Sequence, residues 1–329
     1  MEQFPLNKKE SGINRVVGFE SNTEEEFLTY FKNRFETNPP DLKEKEKTPE
    51  QLEIINRINH EMQEFLAQYG VKAIEILPDN IHILDRSKFT EEELKKIQEK
   101  NKTELGFYSA TRQSVMIIMD YNASRLSFLQ TLIHEIMHLQ GFYSFQKSNR
   151  ESANLTLKRD NQTAFMNVRR VGFSVGLKDG KKLLFDKINE SMTTELAIRF
   201  EEMFMVNWPE LEDEIKTRDE YIKHVSERDN INIELVRHTV AGIKKNESGE
   251  YRFLTHTYHD ERKQLNLLIN NLFDKNKDDF ETKEQIFTLF ANATINGNLL
   301  PIARLIEKTF GKGSFRTLGE KSADKPKQD

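Results

Sequence analysis

Between Asn122 and Gly141, apolar residues surround most of a helix, and one narrow polar line interrupts them. Leu126, Phe128, Leu129, Leu132, Ile133, Ile136, Met137 and Leu139 leave few directions open to solvent. The spacing therefore predicts a helix buried within the fold, with other elements packed around it. Asn122 or Ser124 is placed to cap its start and Gly141 its end. The polar line consists of Ser127, Thr131, His134, His138 and Gly141, which follow one another at i+3 or i+4. Burying two imidazoles there without partners is costly, and a metal ion offers the compensation.

The residues His134-Glu135-Ile136-Met137-His138 read HExxH. Two His four apart on a helix project from one face and can reach the same ion at about 2.0–2.1 Å. Glu135 then sits beside the metal and not on it. From there it can take a proton from a metal-activated water and later deliver it to a leaving amine, which makes it the expected catalytic base. This arrangement is a metalloprotease signature. The chain has no Cys, which excludes disulfides, a catalytic thiol and any thiolate ligand. A transition metal must be held by His and carboxylate, and Zn2+ is the expected cofactor.

A catalytic zinc site takes three protein ligands. The extended pattern HExxHxxGxxH is followed as far as Gly141, but Ser144 stands where its last His would be, so the third ligand comes from elsewhere. The best source is the later segment Ile188-Asn189-Glu190-Ser191-Met192-Thr193-Thr194-Glu195, which places acids in a helix patterned for burial by Ile188, Met192, Leu196, Phe200 and Met203. Here the chain resembles the gluzincins, the thermolysin-like zinc peptidases whose third ligand is the Glu of an Asn-Glu pair on a later helix. Glu190 is the matching residue. The combination of HEIMH, the strand Arg169-Arg170-Val171-Gly172-Phe173, a hairpin and INESMTTEL is similar to the compact bacterial minigluzincins. The resemblance covers about residues 107 to 196. It implies a zincin-like catalytic core, zinc held by His134, His138 and Glu190, and a peptide or protein substrate. Thermolysin-like enzymes have an Asp four residues after the ligand Glu, where this chain has Thr194. Glu195 remains an alternative, either as ligand or as a carboxylate supporting a His. The resemblance also implies an edge strand that pairs with extended substrate, either Val115 to Met119 or Phe107 to Ala110.

A donor facing the developing oxyanion would complete such a site. The cluster His256-Thr257-Tyr258-His259, before a helix at Asp260 to Phe273, supplies the candidates His256 and Tyr258. His60, His82, His224 and His238 are isolated and read as structural.

The 329 residues carry 54 acids against 49 bases, a net charge of −5 spread along the chain, which gives no reason to expect a nucleic-acid or membrane partner. No secretory leader is evident in residues 1 to 20, so cytoplasmic residence is the default expectation. The organisation expected is α+β, in one unit of two lobes. Residues 1–47 form a loosely ordered arm with a short helix around Glu24 to Phe35, the breaker cluster Asn38-Pro39-Pro40-Asp41 and the charge run Leu42 to Lys47. Residues 48–208 form the zincin-like core, with a small mixed sheet upstream of the HExxH helix. Its helix from Thr48-Pro49-Glu50 to Gly70 is followed by β-like runs at Val71 to Leu77, Ile81 to Leu84, Phe107 to Ser109 and Val115 to Met119. A hairpin is expected from Phe165 to Val175 and Lys181 to Phe185. Residues 209–310 form a mainly helical lobe that completes the cleft, and 311–329 a disordered polar tail. The function expected is hydrolysis of peptide bonds by a Glu-activated water. The competing reading is a catalytically inactive zincin scaffold that binds zinc and a protein partner. A purely structural metal site, normally of four protein ligands, fits a Cys-free chain less well.

Overall fold

In the computed structural model, the residues described are 12–37, 43–101, 105–153, 155–159, 162–180, 182–245, 250–256 and 258–323. The first elements are β1 (Arg15–Val17) and α1 (Ser21–Glu36). Phe27, Phe31 and Phe35 recur every four residues, form one stripe on α1 and are buried, with Phe31 stacked on Phe145. Burial of such a side chain contributes about 1.5–3 kcal/mol, so three of them anchor the helix. The expectation of a loosely ordered arm over 1–47 is thus corrected for the described part. From Lys43 onward the charge run is also tied down, because Lys45 N donates to Ile83 O and His82 pairs with Glu44 at 2.8 Å. Asn38 to Asp41 lie outside the described residues.

A reciprocal capping box between Thr48 and Gln51 starts α2 (Pro49–Ala67). Val71 to Leu77 runs extended but joins no ladder, because side-chain amides take the place of a partner strand. Gln140 exchanges two hydrogen bonds with Ile74, at 2.8 and 2.9 Å, and Asn59 does the same for Ile76 at 2.8 and 2.7 Å. Next come β2 (Ile81–Ile83), α3 (Glu91–Asn101), β3 (Gly106–Ser109) and β4 (Ser114–Ile117). β4 is central, parallel to β2 and antiparallel to β3, so among the described residues β3 is an edge of this sheet.

The helix α4 (Arg125–Gln140) lies against β3 and β4. Ser124 caps it, and Glu214 from a later helix accepts hydrogen bonds from Arg125 N and Leu126 N at 3.0 and 3.1 Å. Two donors that a helix start leaves unpaired are thereby satisfied by a charge of the favoured sign. Beyond it, β5 (Tyr143–Lys147), β6 (Leu155–Arg159), β7 (Gln162–Val171), β8 (Ser174–Gly176) and β9 (Leu183–Leu184) join β1 in a six-stranded sheet. The single hairpin expected here is two. The run from Phe165 to Val175 breaks at Gly172, whose φ of +52° turns β7 back into β8, and β8 then pairs with β9.

α5 (Asp186–Met203) packs across α4. It is followed by α6 (Glu212–Asp229), α7 (Ile233–Thr239), β10 (Val240–Lys245), β11 (Tyr251–Thr255), α8 (His259–Lys275), α9 (Lys283–Ile295), α10 (Leu300–Phe310) and α11 (Ser314–Lys321). The expectation of a mainly helical segment after Pro209 missed the hairpin β10–β11. The disordered tail is likewise corrected over its described part. Phe315 of α11 packs on Phe185 with ring centroids 4.5 Å apart, and Lys187 N donates to Ser322 O at 2.9 Å; residues 324–329 lie outside the described set. One hydrophobic core runs through the 208/209 boundary, joining Phe65, Leu132 and Phe200 to Leu211, Leu265, Phe290 and Ile306. The architecture is mixed α/β, compatible with the α+β class. Among the described residues, no helix is long and apolar enough to cross a membrane.

Candidate metal centre

The polar line of α4 faces a cleft of about 790 Å³, and the apolar remainder of the helix is in the core. The cleft lies between β3 on one side and α5 on the other, with residues of β11 and the turn before α8 also lining it. His134 and His138, one turn apart on α4, project into it. Glu190 reaches them from the second turn of α5. Its Oε2 lies 3.3 Å from His138 Nε2 and 3.7 Å from His134 Nε2, and the two nitrogens are 3.2 Å apart. Donors about 2.0–2.1 Å from a tetrahedral ion stand about 3.3–3.4 Å from one another. The triangle therefore has the dimensions that a shared transition metal requires. These three are the group of His and acidic side chains that could hold a metal ion among the described residues. Two imidazoles and a carboxylate suit several divalent transition metals, zinc among them.

The electrostatics of the triangle are those of a tight ion pair. Burial opposes a charge on His138, but the Glu190 carboxylate outweighs it and lifts the imidazole to about 9. Burial likewise works against the Glu190 carboxylate, yet the two imidazoles hold it well below the usual carboxylate range. A carboxylate that so favours a proton on His138 equally favours a metal cation in its place, with release of that proton. The outer ring nitrogens face hydroxyls: Thr193 Oγ1 stands 3.5 Å from His138 Nδ1, and Thr194 Oγ1 stands 3.5 Å from His134 Nδ1. Groups at that position fix the tautomer and tilt of a ligating ring. Thr194 thus occupies the place where the resemblance has an Asp, and it faces an imidazole.

Glu195 points elsewhere. Its Oε2 accepts from both Nε and Nη2 of Arg262, at 3.2 and 3.1 Å, and its Oε1 lies 3.5 Å from Arg199. The alternatives left open for Glu195 are thereby corrected: one residue past Thr194, it is rotated about 100° around α5, away from the imidazoles. Asn189, next to Glu190, has its own task, accepting a hydrogen bond from Phe173 N at 2.8 Å and so tying α5 to the β7–β8 turn.

Glu135 is buried, at 7% exposure, and lines the cleft beside the triangle. Tyr258 lies over His134, with ring centroids 6.3 Å apart and planes within 11°. Burial and the nearby carboxylates of Glu190, Glu135 and Asp186 hold its phenol well above the ordinary range, so it keeps its proton. His256 also lines the cleft, and burial together with the cations Arg262 and Arg218 pushes its imidazole down to about 3. The structure brings His134, Glu135, His138, Glu190, His256 and Tyr258 to one cleft. It adds residues that the sequence did not single out: Asp186, Tyr143 and Glu201 in the lining, and the buried Arg262, whose charge acts on His256. Of the two runs expected to offer an edge, Gly106, Phe107 and Tyr108 of one and Met119 of the other line the cleft, and β4 is paired on both sides. Compared with protein-family models, curated proteins and solved structures, the chain shows no match.

Proposed function

We propose that the chain is a zinc-dependent metallopeptidase of gluzincin type, with a zincin-like core formed by the β2–β4–β3 sheet, α4 and α5. The observation that carries this reading is the triangle of His134, His138 and Glu190, with edges of 3.2, 3.3 and 3.7 Å and with Glu135 beside it. When bound, zinc supplies Lewis acidity, lowering the pKa of a water and polarising a carbonyl. Glu135 takes the proton of that water and hands it to the leaving amine. Tyr258, kept neutral, donates a hydrogen bond to the substrate oxygen as negative charge builds there, and His256, also neutral, is the second candidate donor. The free edge of β3 pairs with the backbone of an extended peptide, which holds the scissile bond over α4. The inactive-scaffold reading makes no use of a buried carboxylate beside three metal donors. Glu135→Gln separates the two. The expected result is loss of peptide hydrolysis by about a hundredfold or more with full zinc content. Hydrolysis at the parent rate would refute the assignment.

A further inference from the structure

Along α4 the lining of the cleft runs from His138 back to Ser127. Counting back from His134, the polar line continues through Thr131 to Ser127, and at that end β10 crosses the helix. Ser127 Oγ donates to Ile243 O at 3.1 Å, and Gln130 Nε2 donates to Ala241 O. Gly242, between them, sits so close that an added Cβ would lie 2.7 Å from Ser127 Oγ and 2.8 Å from Gln130 Oε1. Hairpin and helix are in direct contact at this point. The hairpin is also anchored from behind: Val240 packs with Ile222 and Val236, and Phe253 stacks on Tyr221 with planes within 8°. Ala241, Leu254 and Thr255 of the hairpin line the cleft and form a wall of it.

The direction of an extended substrate follows from β3. Gly106 lies above Thr131, towards the wall, while Tyr108 packs on Tyr143, just past the far end of α4. β3 therefore runs away from the wall. A peptide that pairs with its free edge in the more stable antiparallel sense runs towards the wall and brings its C-terminal end there. Seven residues separate His134 from Ser127, which is about 10 Å of helix, and an extended chain covers that distance in about three residues at about 3.3 Å each.

We propose that the β10–β11 hairpin limits this cleft to substrates with no more than about three residues C-terminal to the scissile bond, so that the enzyme trims short fragments from C-termini. The proposal rests on the peptidase reading above. The test is calorimetric binding to the zinc-loaded full chain of a series of mercaptoacetyl-oligoalanine amides. Their thiolate anchors at the metal, and their residues extend to the C-terminal side. Affinity is expected to hold up to about three residues and to fall about tenfold or more for probes of five and six residues, which the wall excludes. In the variant Ser127→Ala/Gln130→Ala, which frees the hairpin carbonyls from α4, that gap is expected to narrow. Six-residue probes that bind as tightly as two-residue ones would overturn the proposal, as would a gap that the double variant leaves unchanged. Binding by none of the probes would instead overturn the metal site itself, and the length limit with it.

Discussion

The pair Glu195–Arg262 offers the sharpest separation between scaffold and metal ligand on α5. Arg262 is 3% exposed, and its Nε and Nη2 converge on one carboxylate oxygen at 3.2 and 3.1 Å, while Nη1 donates to His238 O at 3.3 Å. Replacing Arg262 by Met leaves the half-buried Glu195 carboxylate without its main partner, with Arg199 at 3.5 Å. Breaking one side of a buried pair costs about 3–5 kcal/mol. For 329 residues the unfolding entropy is on the order of 0.7 kcal/mol/K, so the melting temperature falls by about 4–7 °C. Glu195→Gln leaves Arg262 unpaired and is expected to cost a similar amount. The double variant Glu195→Gln/Arg262→Met recovers part of the loss, because neither charge is then stranded. Zinc content, measured by mass spectrometry on each variant, stays at one per chain, since neither residue touches the triangle. Calorimetric unfolding supplies the energies. If Glu195→Gln abolished zinc binding, or if the double variant lost the full sum of the two single changes, the assignment of Glu195 to Arg262 would be wrong.

Two other perturbations follow from the same geometry. Because the His256 imidazole is pushed down to about 3 from an ordinary 6.5, the unfolded chain binds more protons between those values, so stability is fully present above pH 6.5 and declines as pH falls. The loss is about 2 kcal/mol by pH 5, and His256→Gln should flatten the corresponding part of a denaturation-versus-pH curve; an unchanged slope would show that His256 is not shielded. Gly172→Ala places a Cβ 2.2 Å from Asn189 Oδ1 at a φ of +52° and displaces the acceptor of Phe173 N. Chemical denaturation is expected to show a loss of about 2–4 kcal/mol, with weaker zinc binding because Glu190 adjoins Asn189.

The parts of the molecule legible in the sequence are those whose determinants are local. The apolar wrap of α4, its cap at Ser124 and the projection of His134 and His138 to one face all follow from helical spacing. The pattern of Ile188, Met192 and Leu196 marks the buried helix that carries Glu190 and Glu195, whereas the choice of Glu190 between them rests on the resemblance to the gluzincin Asn-Glu pair. The Phe27, Phe31 and Phe35 stripe was equally local, and the charged composition around it hid its meaning. Other features depend on partners far along the chain. Val71 to Leu77 looks like a strand, yet its hydrogen bonds go to Gln140, Asn59 and Gln63. The tail helix α11 is held by Phe185, far upstream of Phe315, and the pairing of Glu195 with Arg262 spans 67 residues. The hairpin that closes the cleft did carry a signal, in Val240, Ile243, Tyr251, Phe253 and Thr255, but the amphipathic helices around it dominated the reading of that segment.

The central claim is that His134, His138 and Glu190 together hold one zinc ion while Glu135 stays off it. X-ray absorption at the zinc edge on the zinc-loaded chain, on Glu135→Gln and on Glu190→Ala tests this most directly. The account predicts a four-coordinate nitrogen and oxygen shell at about 2.0–2.1 Å, with two imidazoles, in the parent and unchanged in Glu135→Gln, and loss of an oxygen ligand or of the metal in Glu190→Ala. A shell that changes with Glu135 and not with Glu190, or a chain that binds no zinc, would contradict it.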